Sequence, residues 1–237
     1  DYLAYMSDGV LKVFNVKRNE LVFSRKPEPS GDKETDVLNY QWLPDRNTLI
    51  YFYTTKVPDP YTAILVPQAS THQYTYLHTL EFPDSTENTP PDHHEDTFIS
   101  NFPAGGQIER IAFSTYTNLI YLLVKTDSST ALMEIDVMQN VRLLNQAGEK
   151  ILDMCASDHF GTLFIQSGTP NSNRLIAVDG WQRRIIADNQ NFTILGNNAG
   201  QLYIGEVKNN RLVQVFQRKD SFDSDTKEKL SSIWQGD

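Results

Sequence analysis

Cysteine is almost missing from this chain of 237 residues: Cys155 stands alone. No intrachain disulfide can form, which excludes a small fold held by disulfide staples. Positive charge is also scarce. Lys and Arg number 21 against 30 Asp and Glu, for a net charge of −9. Affinity for nucleic acid comes largely from neutralised phosphates, so no DNA or RNA partner is expected. An acidic surface is equally ill suited to an anionic membrane. No apolar run approaches the roughly 18 residues of a spanning helix, and no stretch of any length keeps a helical period. The chain has no Gly-x-Ser-x-Gly elbow, no His-Glu-x-x-His and no phosphate-binding glycine loop, so the common hydrolase and nucleotide-binding signatures are absent.

What the chain has is a returning phrase. A first strand, a short turn and a second, more apolar strand recur about every 40 to 47 residues. Leu38 to Trp42 leads into Leu49 to Tyr53, and Ile108 to Phe113 into Leu119 to Val124. Ile151 to Ala156 leads into Thr162 to Ile165, and Phe192 to Leu195 into Leu202 to Ile204. The second strands are apolar at successive positions, as in strands buried on both faces. Short strands at this period predict a five-bladed β-propeller forming one domain over 1–237.

The expected blades span about 1–26 plus 229–237, 37–83, 107–146, 150–188 and 191–218. The first repeat has three strands (2–6, 11–16, 21–25) and lacks a first one. In the second, strands are expected near 37–43, 48–54, 61–66 and 74–82. The C-terminal stretch Leu230 to Asp237 keeps the Trp–Asp spacing of Trp42 and Asp45. The simplest expectation is that it supplies the missing innermost strand of the first blade and closes the ring, leaving no edge unpaired. The rival placement is the outer strand of blade five.

Trp42-Leu43-Pro44-Asp45-Arg46-Asn47-Thr48-Leu49-Ile50-Tyr51 resembles the repeat of TolB-type and related WD40-like bacterial propellers. Their repeat runs Trp-Ser-Pro-Asp-Gly, two residues, then an apolar strand. Leu43 stands in place of the Ser and Arg46 in place of the Gly. Phe113-Ser114-Thr115-Tyr116 and Ala156-Ser157-Asp158-His159 keep the rhythm without the letters. The resemblance implies a propeller fold and a habit of protein–protein contact, and no catalytic residue.

Loop lengths point to one rim. Links between strands two and three, together with the crossovers between blades, are the long ones: 26–36, 55–60, 83–106, 168–172 and 218–229. Binding residues concentrate on long loops held by a rigid scaffold. The expected contacts on that rim are Asp59, Tyr61, His93, His94, Glu95 and Phe98. The chain is expected to be a monomeric, non-catalytic binding module without a cofactor, meeting a protein or glycan partner. It opens at Asp1 without an initiator Met and is rich in Asn, Gln, Thr and Tyr. Those features lead to the expectation of an extracytoplasmic setting, secreted or anchored by a segment upstream.

The residue types present raise three chemical alternatives. Asp92, His93, His94 and Asp96 have ligand types suited to Zn²⁺ or another divalent metal, but adjacent ligands on one loop need support from elsewhere to converge. Cys155 and His159 lie about 13 Å apart along an extended chain, too far for a nucleophile and its base. A five-bladed glycosidase needs carboxylates projecting into the channel from first strands. Only Glu109 and Asp153 qualify, with Asn39, Gln41 and Thr193 at matching positions.

Overall fold

The computed structural model describes residues 1–25, 34–58, 71–169, 172–188, 191–222 and 230–236. Among them the chain is all β, with no helix and 20 strands in five antiparallel sheets of three to five strands. It divides into two compact units, Asp1–Gly105 and Gly106–Asp237.

In the first unit, β1 (Tyr2–Ser7), β2 (Val10–Asn15) and β3 (Glu20–Arg25) form a three-stranded meander. Asp8 and Gly9 turn between β1 and β2 with φ of 54° and 74°, the left-handed conformation that two-residue hairpin turns require. The second sheet holds β4 (Glu34–Trp42), β5 (Thr48–Pro58) and β6 (Thr71–Glu81). Two short strands, β7 (Asp92–His93) and β8 (Thr97–Phe98), both pair with the outer edge of β6. They come from the 83–106 stretch expected to be a long loop, so the loop itself supplies short strands at the outer edge of the sheet. The strand expected at 61–66 lies outside the described residues, and β6 pairs directly with β5 from Thr48 opposite Glu81 to Pro58 opposite Thr71.

The two sheets pack through Leu11 and Val13 of β2 against Leu49, Tyr51 and Tyr53 of β5 and Leu80 of β6. Each fully buried aliphatic side chain here contributes roughly 1.5–3 kcal/mol. Trp42 stacks on Tyr2 at 6.3 Å and meets Phe82 at 5.5 Å, packing between the two sheets.

The second unit contains three four-stranded sheets. The first runs β9 (Gln107–Ser114), β10 (Leu119–Lys125), β11 (Thr130–Ile135), β12 (Val141–Leu143). The next runs β13 (Ile151–Ala156), β14 (Leu163–Thr169), β15 (Ser172–Asp179), β16 (Gln182–Asp188). The last runs β17 (Phe192–Asn198), β18 (Gln201–Lys208), β19 (Arg211–Lys219), β20 (Ser231–Gln235). First strands lie side by side, β9 with β13 and β13 with β17. Strand β14 shows why the second strands read as continuous apolar runs. Leu163 and Ile165, with Met154 of their own sheet, pack toward Tyr121 and Leu123 of the preceding sheet, while Phe164 between them packs toward Phe192 and Leu202 of the following one.

The first strand of each of four sheets carries one bulge. Pairing skips Leu38, Glu109, Leu152 and Leu195. Strand β1 pairs with β2 without such a skip, in keeping with a first repeat that lacks its first strand.

The expected closure by the C-terminus is not what forms. β20 pairs antiparallel with β19, Gln214 opposite Gln235 through Gln217 opposite Ser231, so the tail is the outer strand of the fifth sheet and the first sheet keeps three strands. The physical reason is local. β19 directly precedes the tail in the chain and offers it a free edge, and closing the shorter of the two possible loops costs less entropy. Gln214 Nε2 donates to Ser232 Oγ at 2.7 Å, and Gly236 N–H to the Val213 carbonyl at 2.8 Å. Trp234 is accordingly half-exposed.

Candidate functional site

The densest polar network of the first unit forms where the 83–106 stretch folds back on the second sheet. Strand alternation places Tyr51 opposite His78 and Tyr53 opposite Tyr76 across the β5–β6 pair. β7 sets His93 opposite Leu80, and β8 sets Phe98 opposite Tyr76. Between them the chain arches over β6, held by His94 N–H to the Thr79 carbonyl at 3.1 Å and Ile99 N–H to the Thr75 carbonyl at 2.9 Å. His93 and Asp96 thereby stand on either side of His78.

The hydrogen bonds fix the protonation pattern. Asp96 accepts from the Tyr53 hydroxyl at 2.7 Å through Oδ2 and from His78 Nδ1 at 2.7 Å through Oδ1. A carboxylate only accepts, so His78 carries its proton on Nδ1 and presents a lone pair at Nε2. His93 Nδ1, 3.2 Å from that Nε2, is then the donor, which leaves His93 Nε2 as an outward acceptor. Burial holds the His78 imidazole below its ordinary pKa against the opposing pull of Asp96; the ring is 8% exposed. Arg25 closes the other end. Its Nη1 donates to the Tyr51 hydroxyl at 2.7 Å, and its guanidinium lies 4.3 Å from the Tyr53 ring centroid. Burial pushes the Tyr51 phenol up to about 12, with Arg25 pulling the other way. The Tyr53 phenol is pushed up by burial and by its bond to Asp96. Both phenols therefore stay protonated at neutral pH.

An aromatic ledge runs outward from this network. Tyr53 stacks on Tyr76 at 5.4 Å, Tyr76 meets Phe98 at 5.8 Å, and Phe98 meets Tyr74 at 6.0 Å. The inner members are covered, whereas Phe98 is 49% and Tyr74 38% exposed.

The residues expected from the sequence separate. His93 and Phe98 join the network and its ledge. His94 turns away to Glu81 at 3.5 Å, Glu95 is exposed, and Asp92 is exposed in β7. Asp59 and Tyr61 lie outside the described residues. Of the metal candidates, His93 and Asp96 meet only through His78, and among the described residues no three His, Cys, Asp or Glu side chains converge on a common point. Asn39 accepts from the Tyr40 N–H at 2.8 Å. In the second unit Glu109 pairs with Lys125 at 3.0 Å and Asp153 with Arg110 at 3.2 Å, so both of these carboxylates are engaged by a cation. The Cys155 thiol is driven up by burial, with Asp153, Asp220 and Asp158 adding to the effect, the opposite of an activated nucleophile.

Sequence reasoning missed His78, Tyr53 and Arg25. The signal for His78 was present: Tyr74, Tyr76, His78 and Leu80 alternate along β6, placing an imidazole in an aromatic row on one face.

No family model matches the chain, and no curated protein matches it. Among solved structures it is similar to a protein of unknown function from Bacteroides caccae, at 13% identity over 99% of this chain and 92% of that one, with a TM-score of 0.37.

Proposed function

We propose that the chain is a five-bladed β-propeller acting as a non-catalytic binding module, and that the ledge over β6 is its contact for a protein partner. The repeated sheets, the recurring bulge in their first strands and the side-by-side first strands of the second unit support the propeller reading. So does the resemblance of the Trp42 to Tyr51 motif to TolB-type repeats. We assign the chain to the cell envelope, extracytoplasmic and secreted or anchored, in keeping with a sequence rich in Asn, Gln, Thr and Tyr. Among the described residues no helix is long and apolar enough to cross a membrane.

One observation carries the binding role. The 92–99 segment is pinned at both ends by strand pairing and in the middle by Asp96, yet it leaves Phe98, Tyr74 and the imidazoles of His93 and His94 at the surface. Aromatic side chains held rigid before contact lose little entropy on binding and dominate interface energetics. A hydroxyl or thiol nucleophile hydrogen-bonded to His93 is absent among the described residues, which sets the Asp96–His78–His93 chain apart from a hydrolytic triad.

The test places a photo-crosslinking phenylalanine analogue at position 98, or at exposed position 181 as a control, in cells producing the full protein. A discrete adduct from position 98, lost on Tyr74→Ala and absent from position 181, is expected. Equal labelling from both positions, or none from 98, rejects the ledge as the contact.

A further inference from the structure

We propose a second binding site, in the second unit, for an uncharged oligosaccharide. A cavity of about 510 Å³ opens at the ends of β14 and β15 and of β17 and β18, within the size range of small-molecule sites. Five side-chain amides line it: Gln166, Asn173, Asn191, Asn209 and Asn210. No ionisable side chain among the described residues does. Neighbouring clefts differ sharply. One is lined by Lys125, Asp127, Glu149 and Lys150, another by Glu149, Arg174, Arg183 and Arg184.

The amide cavity has unmet hydrogen-bonding capacity. Asn173 is 8% exposed, and its Nδ2 donates to the Phe192 carbonyl at 3.3 Å. That bond fixes the amide's orientation, and the buried Oδ1 has no partner among the described residues. A buried acceptor left unpaired is costly unless a donor arrives. Gln166, 6% exposed, accepts through Oε1 from the Thr193 hydroxyl at 3.1 Å and from Ile194 N–H at 3.3 Å. Its two Nε2 donors sit on the opposite arm of the planar amide.

The rim is rigid. Asn209 and Asn210 form the turn between β18 and β19 with φ of 52° and 59°, the left-handed pair of a tight hairpin that Asn tolerates better than most residues. Val207 N–H donates to the Asn191 carbonyl at 2.8 Å, tying the start of β17 to the end of β18.

The chemistry selects the ligand class. Each amide offers two donors and an acceptor without net charge, which matches hydroxyl groups that both donate and accept. Leu152, Phe192 and Val207 supply an apolar wall for the C–H face of a sugar ring. A charged ligand would find no counter-ion here, and burying a charge unpaired is strongly unfavourable. This site is separate from the β6 ledge, and the two readings fail separately: this one is read with sugars on the isolated protein, the other by crosslinking at position 98.

The experiment titrates the full chain with xylotriose, mannotriose, cellotriose, maltotriose and triacetylchitotriose, following heat and the side-chain amide resonances in ¹H–¹⁵N NMR spectra. Trigalacturonate and acetyl-trialanine amide serve as charged and peptide comparators. At least one neutral sugar is expected to bind and to shift the Asn173 and Asn210 amide resonances. Asn210→Gly keeps a turn that glycine adopts freely and should weaken that binding about fivefold or more. Asn173→Leu should abolish it. Silence from every neutral sugar at about 10 mM, binding indifferent to Asn210→Gly, or preference for either comparator overturns the proposal.

Discussion

His93 donates from Nδ1 to Nε2 of His78 across 3.2 Å, and that bond joins the tip of the 83–106 stretch to the sheet beneath it. Since His78 in turn donates to Asp96, both ends of the arch are tied to one imidazole. The stretch is therefore a fixed part of the second sheet.

Asp96 is the acceptor on which this arrangement converges. Asp96→Asn substitutes two donors for an acceptor oxygen and leaves either Tyr53 or His78 without its partner. Unfolding in urea should show a loss of about 1–3 kcal/mol. His94→Ala, on the exposed side of the arch, should stay within about 0.5 kcal/mol of the parent. Equal effects from the two would show that the network does not hold the stretch.

His78 gives stability a pH dependence of known sign. Its native pKa lies below the ordinary value, because burial outweighs Asp96, with Arg25 and His93 also disfavouring the cation. Above about pH 6.5 the imidazole is neutral in both states and the contribution is constant. As pH falls below that value the unfolded chain protonates first, so stability drops until the native His78 protonates as well. Urea midpoints between pH 7.5 and 5 should fall, and His78→Gln should flatten the profile. An unchanged profile in that variant would remove His78 as the source.

Ser157 serves a buried carboxylate in the second unit. Its hydroxyl donates to Asp220 Oδ2 at 2.8 Å while its oxygen accepts from Phe160 N–H at 2.8 Å. Asp220 is fully buried, and Oδ1 has no partner among the described residues. Ser157→Ala should cost about 1–3 kcal/mol, and a double-mutant cycle with Asp220→Asn should show coupling well above 0.5 kcal/mol, the usual scatter for independent sites. Additive effects would deny the link.

Removing residues 230–237 tests the role of the tail. Every residue of β20 is exposed, so the truncated chain should remain folded and lose little stability. It should also expose the edge of β19 and gain a tendency to self-associate, measured by analytical ultracentrifugation. Wholesale unfolding on truncation would mean that the tail completes the architecture in another way.

Alternation and turn chemistry made most of the strands legible. The first repeat's strands at 2–6, 11–16 and 21–25 were marked by alternation, and the run from Leu119 to Val124 marked a strand covered on both faces. Register partners across sheets were not legible in the same way. The tail repeats the Trp–Asp spacing of Trp42 and Asp45, but spacing within a strand does not say which free edge it meets. The network was half visible. His93 and Asp96 stood out as a dense polar stretch, and their proximity suggested a metal. Their actual partner, His78, comes from a strand read as packing, and only the pairing of β7 and β8 with β6 brings the three together.

The skipped residues Glu109, Leu152 and Leu195 stand 43 positions apart, although one is a carboxylate and two are aliphatic. An extra residue in a ladder cannot be removed without moving every later side chain to the opposite face. Selection can therefore rewrite the letters around such a kink far more easily than it can erase the kink. Three first strands thereby change side-chain phase at the same step of the repeat, whatever residues surround it.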